Sequence, residues 1–172
     1  MINWLYELPF HGNRIKDGWQ LAAITQWQSG NPVNLVVPDG TFTGVASTVR
    51  PDLTGAITYP HSTNEWFDTS VFAFPTVGAP ATHFGNLPRN AIDGPTFSNT
   101  DFTVQKTTAI TESKRLQFRA DMFDVFNHPN LGQPGRIAIA PPSPFGQITN
   151  TRFAGGDSGS SRQAQFALRL LF

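Results

Sequence analysis

The chain closes on RQAQFALRLLF, Arg162 to Phe172, and that row alternates. Phe166, Leu168, Leu170 and Phe172 share one parity, while Gln163, Gln165 and Arg169 share the other; Ala164 and Ala167 are neutral and Leu171 is the large exception. Successive side chains of a strand point to opposite faces, so a period of two makes one greasy face and one wet face. Most domains end in a frayed polar tail, whereas this row runs to an apolar last residue.

The same period recurs. In NWLYELPF, Trp4, Tyr6, Leu8 and Phe10 alternate with Asn3, Glu7 and Pro9, with Leu5 breaking the wet parity. After the turn-rich HGNRIKDG, the segment WQLAAITQWQ sets Trp19, Leu21, Ala23, Thr25 and Trp27 opposite Gln20, Gln26 and Gln28, with Ile24 as the exception. In TDFTVQKT, Phe102 and Val104 oppose Asp101, Thr103 and Gln105, and the short polar TESK then leads into RLQFRADMFDVFN. That last segment also approximates helical spacing through Leu116, Ala120, Phe123 and Phe126. Strict alternation from Arg115 to Met122 favours a strand, with Met122 and Phe123 as a bulge or as the point where the strand leaves its apolar layer.

Between these rows, periodicity disappears. From Ser29 to about Thr96, and again from His128 to Ser161, the chain is rich in Pro, Gly, Asn and Thr with scattered aromatics. Connections of that length in a compact domain signal a functional loop or a missing partner. The expected fold is therefore all-β: about five antiparallel strands at Asn3–Phe10, Trp19–Gln28, Phe97–Ala109, Arg115–Asn127 and Arg162–Phe172, joined alternately by short turns and long loops. Long loops at one end and tight turns at the other are the asymmetry of bacterial outer-membrane barrels, whose transmembrane strands run about 9–11 residues. Trp19 and Trp27 share a face roughly 26 Å apart at ~3.3 Å per residue, near the spacing of two interfacial girdles once tilt is allowed for. On this reading the two long loops are extracellular and the strands are part of a large barrel.

Bulk composition agrees and excludes several classes. Charged residues make up 14%, below the roughly 25% of soluble domains, while 15 Gly, 14 Pro and 15 Phe suit turns and aromatic-rich strands. Twelve basic and twelve acidic side chains cancel. No Lys or Arg cluster exceeds the adjacent Lys114 and Arg115, so a nucleic-acid partner is not expected. Zero cysteines exclude a disulfide scaffold and a thiolate metal site. MINWLYELPF lacks the pattern of a secretory signal, and no apolar run approaches the ~20 residues of a spanning helix.

The ordered series GWQLAAITQWQSGNPVNL, RPDLTG, WFDTSVFAFP, FGNLPRNAIDGP, RLQFRADMFDVFNHPNLGQPG, FGQIT and RQAQFALRLLF resembles the C-terminal end of Oar-like TonB-dependent outer-membrane receptors. The resemblance covers nearly the whole chain. It implies a carboxypeptidase-regulatory-like domain, a plug and a large barrel ending in an aromatic residue, with outer-membrane lipid, the outer-membrane assembly machinery, TonB and an extracellular ligand as partners. The closing residues Phe166, Leu168, Leu170 and Phe172 would then be the signal that the assembly machinery reads. The family's plug, TonB-contacting segment and earlier strands have no counterpart here, and five strands are too few to close, the smallest such barrels having about eight. A single domain over residues 1–172, the C-terminal part of a receptor barrel in the outer membrane of a Gram-negative bacterium, is the expected identity. Alone, such a sheet with two open edges is expected to aggregate or to need detergent.

Catalytic and metal chemistry find little support. GDSGS at Gly156–Ser160 matches the nucleophile loop of chymotrypsin-like proteases, but no matching histidine motif precedes it, and a Gly/Ser loop accounts for it. His11, His61, His83 and His128 are scattered without metal spacing, and His11 and His128 read as turn residues. Asp121 and Asp124, three apart on a strand, would face opposite ways, with Asp121 lining the wet interior beside Arg115 and Arg119. No cofactor, no metal and no enzyme activity is expected. Trp66, Phe67, Phe72 and Phe74 are the candidate ligand-binding residues, since loop aromatics stack on sugars or grip apolar ligands; the opposing reading is that they fold the loop onto itself or its neighbours. The alternative function is a secreted soluble β-sandwich that binds glycan.

Overall fold

The computed structural model describes residues 1–38, 48–73, 85–138, 143–152 and 161–172. Among them every regular element is a strand: β1 (Ile2–Glu7), β2 (Trp19–Gln28), β3 (Pro32–Val33), β4 (Val37–Pro38), β5 (Thr48–Val49), β6 (Asp52–Leu53), β7 (Phe72–Ala73), β8 (Ile92–Asp93), β9 (Phe97–Ala109), β10 (Arg115–Phe123) and β11 (Gln163–Leu171). Two compact units result. One comprises Met1–Gln28, Phe97–Asn130 and the closing segment; the other comprises Ser29–Thr96 and Leu131–Arg152.

The first unit is a five-stranded sheet in the order β1-β2-β9-β10-β11. Every neighbouring pair is antiparallel. It is open rather than closed, with β1 and β11 at its edges. The five alternating segments of the sequence are these five strands, and the expected class, all-β and antiparallel, is the observed one. Two boundaries differ from expectation. β1 stops at Glu7 because Pro9 has no N–H to offer, although the Leu8 amide still reaches Trp19 O at 3.0 Å. β10 stops at Phe123 rather than Asn127, because Asp124 and Asn127 both take positive φ (47° and 52°), a conformation that short polar side chains tolerate and a strand does not. Helical spacing in this segment loses to a continuous ladder, in which Phe123 still pairs with Gln163.

The polar groups beyond β10 are knotted locally. Asp101 Oδ1 accepts from the Asn99 side-chain amide at 3.0 Å and from the Asp124 amide at 3.1 Å. Asp124 Oδ1 accepts from the His128 amide at 3.2 Å, and Asn127 Oδ1 from the Arg162 amide at 3.1 Å. The residues that read as a turn thus end β10 and receive β11.

At the other end of the sheet the turns are tight. Asn13 Oδ1 accepts from the Ile15 and Lys16 amides at 3.1 and 3.0 Å, an Asx turn inside HGNRIKDG. Gly18 enters β2 at φ 77°, its carbonyl accepting from the Thr107 amide at 2.9 Å. A Cβ there would collide with the Thr107 carbonyl oxygen as well as strain the backbone. Gly18→Ala is therefore expected to destabilise the sheet by on the order of 1–3 kcal/mol, seen as a lower temperature for loss of the folded gel band. An unchanged temperature would mean that the turn re-forms freely.

The second unit replaces what reads in the sequence as irregular loop. Its ladders are only two residues long, β3 with β8, β4 with β5 and β6 with β7. They hold a core of Val33, Leu35, Trp66, Phe67, Phe72, Leu87, Ile92 and Ile148. Phe67 is fully buried, and it meets Phe72 and Phe145 edge-on at 5.6 and 5.4 Å between ring centroids. Between Phe67 and Phe72, Asp68 accepts from the Ser70 hydroxyl at 2.7 Å and the Ser70 amide at 2.9 Å, so the chain turns and returns both rings to one cluster. Those bonds, the hydroxyl first, hold the Asp68 carboxyl below the ordinary carboxylate range. A depressed folded value means that the contribution is present above the unfolded pKa and is lost as pH falls through the folded one.

Candidate functional site

The register assigns each side chain of the sheet to a face. On one, Trp4 and Tyr6 of β1 pair with Ala23 and Leu21 of β2, which pair with Phe102 and Val104 of β9. Phe102 and Val104 pair with Met122 and Ala120 of β10, and Ala120 and Phe118 pair with Phe166 and Leu168 of β11. Neighbouring rings touch across the strands, Trp4 with Phe102 at 6.2 Å and Phe118 with Phe166 at 6.3 Å. Nevertheless this face is uncovered: Trp27 is 68% exposed, Phe166 70%, Leu168 69% and Phe172 94%. In water a contiguous apolar surface of this kind is a liability, and in a bilayer it is the required surface.

Polar side chains on this face sit where a lipid interface would need them. Near the tight turns, the Lys106 ammonium donates to Ile15 O at 2.6 Å and Asp17 O at 3.1 Å and lies 4.7 Å from the centroid of the Trp19 ring. Its stem shares the apolar parity while its charge reaches back to turn carbonyls, as snorkelling side chains do. Trp27, at the opposite end of β2, donates its indole N–H to Ser98 Oγ at 2.8 Å.

The opposite face is a polar lattice. The Gln20 amide donates to Glu7 Oε1 at 2.6 Å and the Gln105 amide donates to Gln20 Oε1 at 3.0 Å, linking three strands. One row along, Thr103 Oγ1 donates to Asp121 Oδ1 at 2.6 Å, and Arg119 Nε donates to the same oxygen at 2.9 Å. Arg115 borders a groove with Arg14, Asp17 and Gly18 at the tight-turn end. Asp121 and Asp124 form no pair: Asp121 is in this lattice, and Asp124 lies beyond the strand end in the polar knot.

The candidate ligand-binding aromatics fall in the second unit. Trp66, Phe67 and Phe72 are buried in its core, and Phe74 lies outside the described residues, as do His83 and Gly156–Ser160. Trp66 alone of the three also borders a cleft of about 490 Å³, lined by Ser29, Gly30, Tyr59, His61, Trp66, Asp93, Gly94 and Thr96. His61 stacks on Tyr59 at 5.5 Å and 19° and meets Trp66 edge-on at 4.8 Å and 80°. Both backbone groups of Asp93 are tied to this ring cluster, its carbonyl accepting from Trp66 Nε1 at 2.8 Å and its amide donating to the Tyr59 hydroxyl oxygen at 3.2 Å. Sequence reasoning weighed His61 only as a metal ligand and passed over Tyr59 and Asp93. The signal was present in YPHSTNEW, which places three rings within eight residues. Among the described residues no group of three or more His, Asp or Glu is arranged to hold a metal ion.

A family model described as an outer membrane beta barrel domain matches residues 1–165 of the chain. No curated protein and no solved structure matches it.

Proposed function

The chain belongs to the outer membrane beta barrel domain family, located in the outer membrane of Gram-negative bacteria, and from that premise we propose that it is the C-terminal barrel segment of an Oar-like TonB-dependent receptor. The receptor binds or imports an extracellular ligand and performs no catalysis. The observation that carries this reading is the pairing of an uncovered apolar sheet face with a hydrogen-bonded polar one, in strands whose long connections all leave from one end. A soluble glycan-binding sandwich would bury that apolar face against a second sheet, and its exposure speaks against the sandwich.

In the receptor, outer-membrane lipid covers the face of Phe166 and Leu168, and the assembly machinery reads Phe166, Leu168, Leu170 and Phe172 as the closing strand. TonB engages sequence ahead of Met1, and the long connections face outward. The second unit then belongs to the ligand-facing side. The test is capture of the periplasmic domain of TonB by the whole protein in detergent. Capture that is lost when the sequence ahead of Met1 is removed supports the receptor. A correctly assembled barrel that never captures TonB would overturn it.

A further inference from the structure

We infer that the cleft between Tyr59, His61, Trp66 and Asp93 in the second unit is a binding site for a neutral saccharide. Its volume of about 490 Å³ lies within the range of small-molecule sites, roughly 300–1,000 Å³. Three kinds of lining group converge there. The rings of Tyr59 and His61, backed by the bordering edge of the buried Trp66, supply apolar surface of the sort that packs on the C–H faces of a sugar. Ser29, Thr96 and Asp93 supply short hydrogen-bonding residues, an aspartate carboxylate being an acceptor for hydroxyl donors. Gly30 and Gly94 supply bare backbone: a Cβ on Gly30 would collide with the Gly94 carbonyl, so this wall tolerates no side chain at Gly30.

The chemistry of the lining narrows the ligand. Among the described residues no Lys or Arg borders the cleft, and Asp93 is the acidic residue on its lining, so phosphate, sulfate and carboxylate ligands are disfavoured. A purely apolar ligand would leave Ser29, Asp93 and Thr96 without partners and forfeit their hydration, which costs binding. A neutral, polyhydroxylated ring answers both requirements.

The site is also held ready. Asp93 is fixed at both backbone groups by the rings it lies beside, and His61 is kept at φ 55°, an unfavourable conformation for a residue with a side chain. Strained backbone that is held by its surroundings is concentrated at ligand sites, and here it sets the imidazole between Tyr59 and Trp66.

The placement of this cleft on the ligand-facing side rests on the receptor reading; the binding itself does not. The experiment screens the whole protein in detergent against an array of neutral oligosaccharides and titrates the best of them by calorimetry, with tetramethylammonium as the competing probe. Two variants follow. Asp93→Asn keeps the backbone bonds and removes the charge. His61→Gly removes a ring at a φ that glycine adopts freely.

Each variant is expected to weaken saccharide binding at least tenfold while the heat-dependent shift of the folded gel band is retained, and Gln165→Ala is expected to bind as the parent does. No bound saccharide across the array, or affinity unchanged in both variants, would overturn the proposal. So would tight binding of tetramethylammonium that displaces the saccharide, which would make the cleft a cation cage. Saccharide binding without TonB capture defeats the receptor reading and leaves the cleft standing; TonB capture without saccharide binding does the reverse.

Discussion

Leu168→Arg is expected to abolish most of the inserted, heat-modifiable protein, and Phe172→Ser to reduce it, while Gln165→Ala leaves the yield near that of the parent. Leu168 stands on the uncovered apolar face, paired with Phe118 and 69% exposed. An arginine facing lipid near mid-bilayer costs about 2–4 kcal/mol, whereas a substitution on the lumen side carries no such term. Gln165 has the other parity and pairs with Asp121 on the polar face. The measurement is the fraction of protein in outer-membrane preparations that shifts on gels after heating. Equal tolerance at Leu168 and Gln165 would reverse or abolish the assigned orientation.

Phe67→Ala is expected to cost about 3–5 kcal/mol in the second unit, because a fully buried ring leaves a cavity that its neighbours cannot fill. Phe72 and Phe145 lose their edge-on partner at the same time. Native-state hydrogen exchange reports it directly: the Trp66 and Ile148 amides, bonded to Gly146 O and Thr63 O at 2.8 Å each, should lose protection. A loss of protection worth less than about 1 kcal/mol would mean that Phe67 is not the centre of the core. A substitution in the sheet such as Gln165→Ala should leave these amides unchanged.

The two units differ in how far they could be read in advance, and the difference is physical. Each strand of the sheet repeats one choice every second residue, so Trp19, Leu21 and Ala23, or Phe166, Leu168 and Leu170, announce a strand by themselves. The exceptions in the rows, Leu5, Ile24 and Leu171, share the parity of the polar face, and Leu5 and Ile24 border a groove there with Ala22, Thr103 and Gln105. In the second unit the core is assembled from residues as far apart as Val33 and Ile148, joined by two-residue ladders. No period survives such spacing, and only composition hinted that Trp66, Phe67 and Phe72 had work to do. Their surroundings came from tertiary contacts: the turn at Asp68 and Ser70 directs Phe67 and Phe72 inward, and the stack of His61 on Tyr59 builds the cleft beside Trp66. The boundary of β10 was missed for a related reason. Alternation says where a strand can run, and a positive φ at Asp124 decides where it stops.

Residues 1–172 contain no cysteine, so single cysteines placed at successive positions of β11, with any thiol elsewhere in the whole protein replaced, make the central claim directly measurable. In membranes carrying the whole protein, cysteines at 165, 167 and 169 should react with a water-soluble maleimide. Spin labels at 166, 168 and 170 should collide with lipid-dissolved oxygen and be shielded from a water-soluble relaxation agent. Alternation with a period of two, in that phase, is the result expected of a strand with its apolar face in lipid and its polar face in water. Uniform access of the aqueous reagents to both parities, or alternation in the opposite phase, would contradict it.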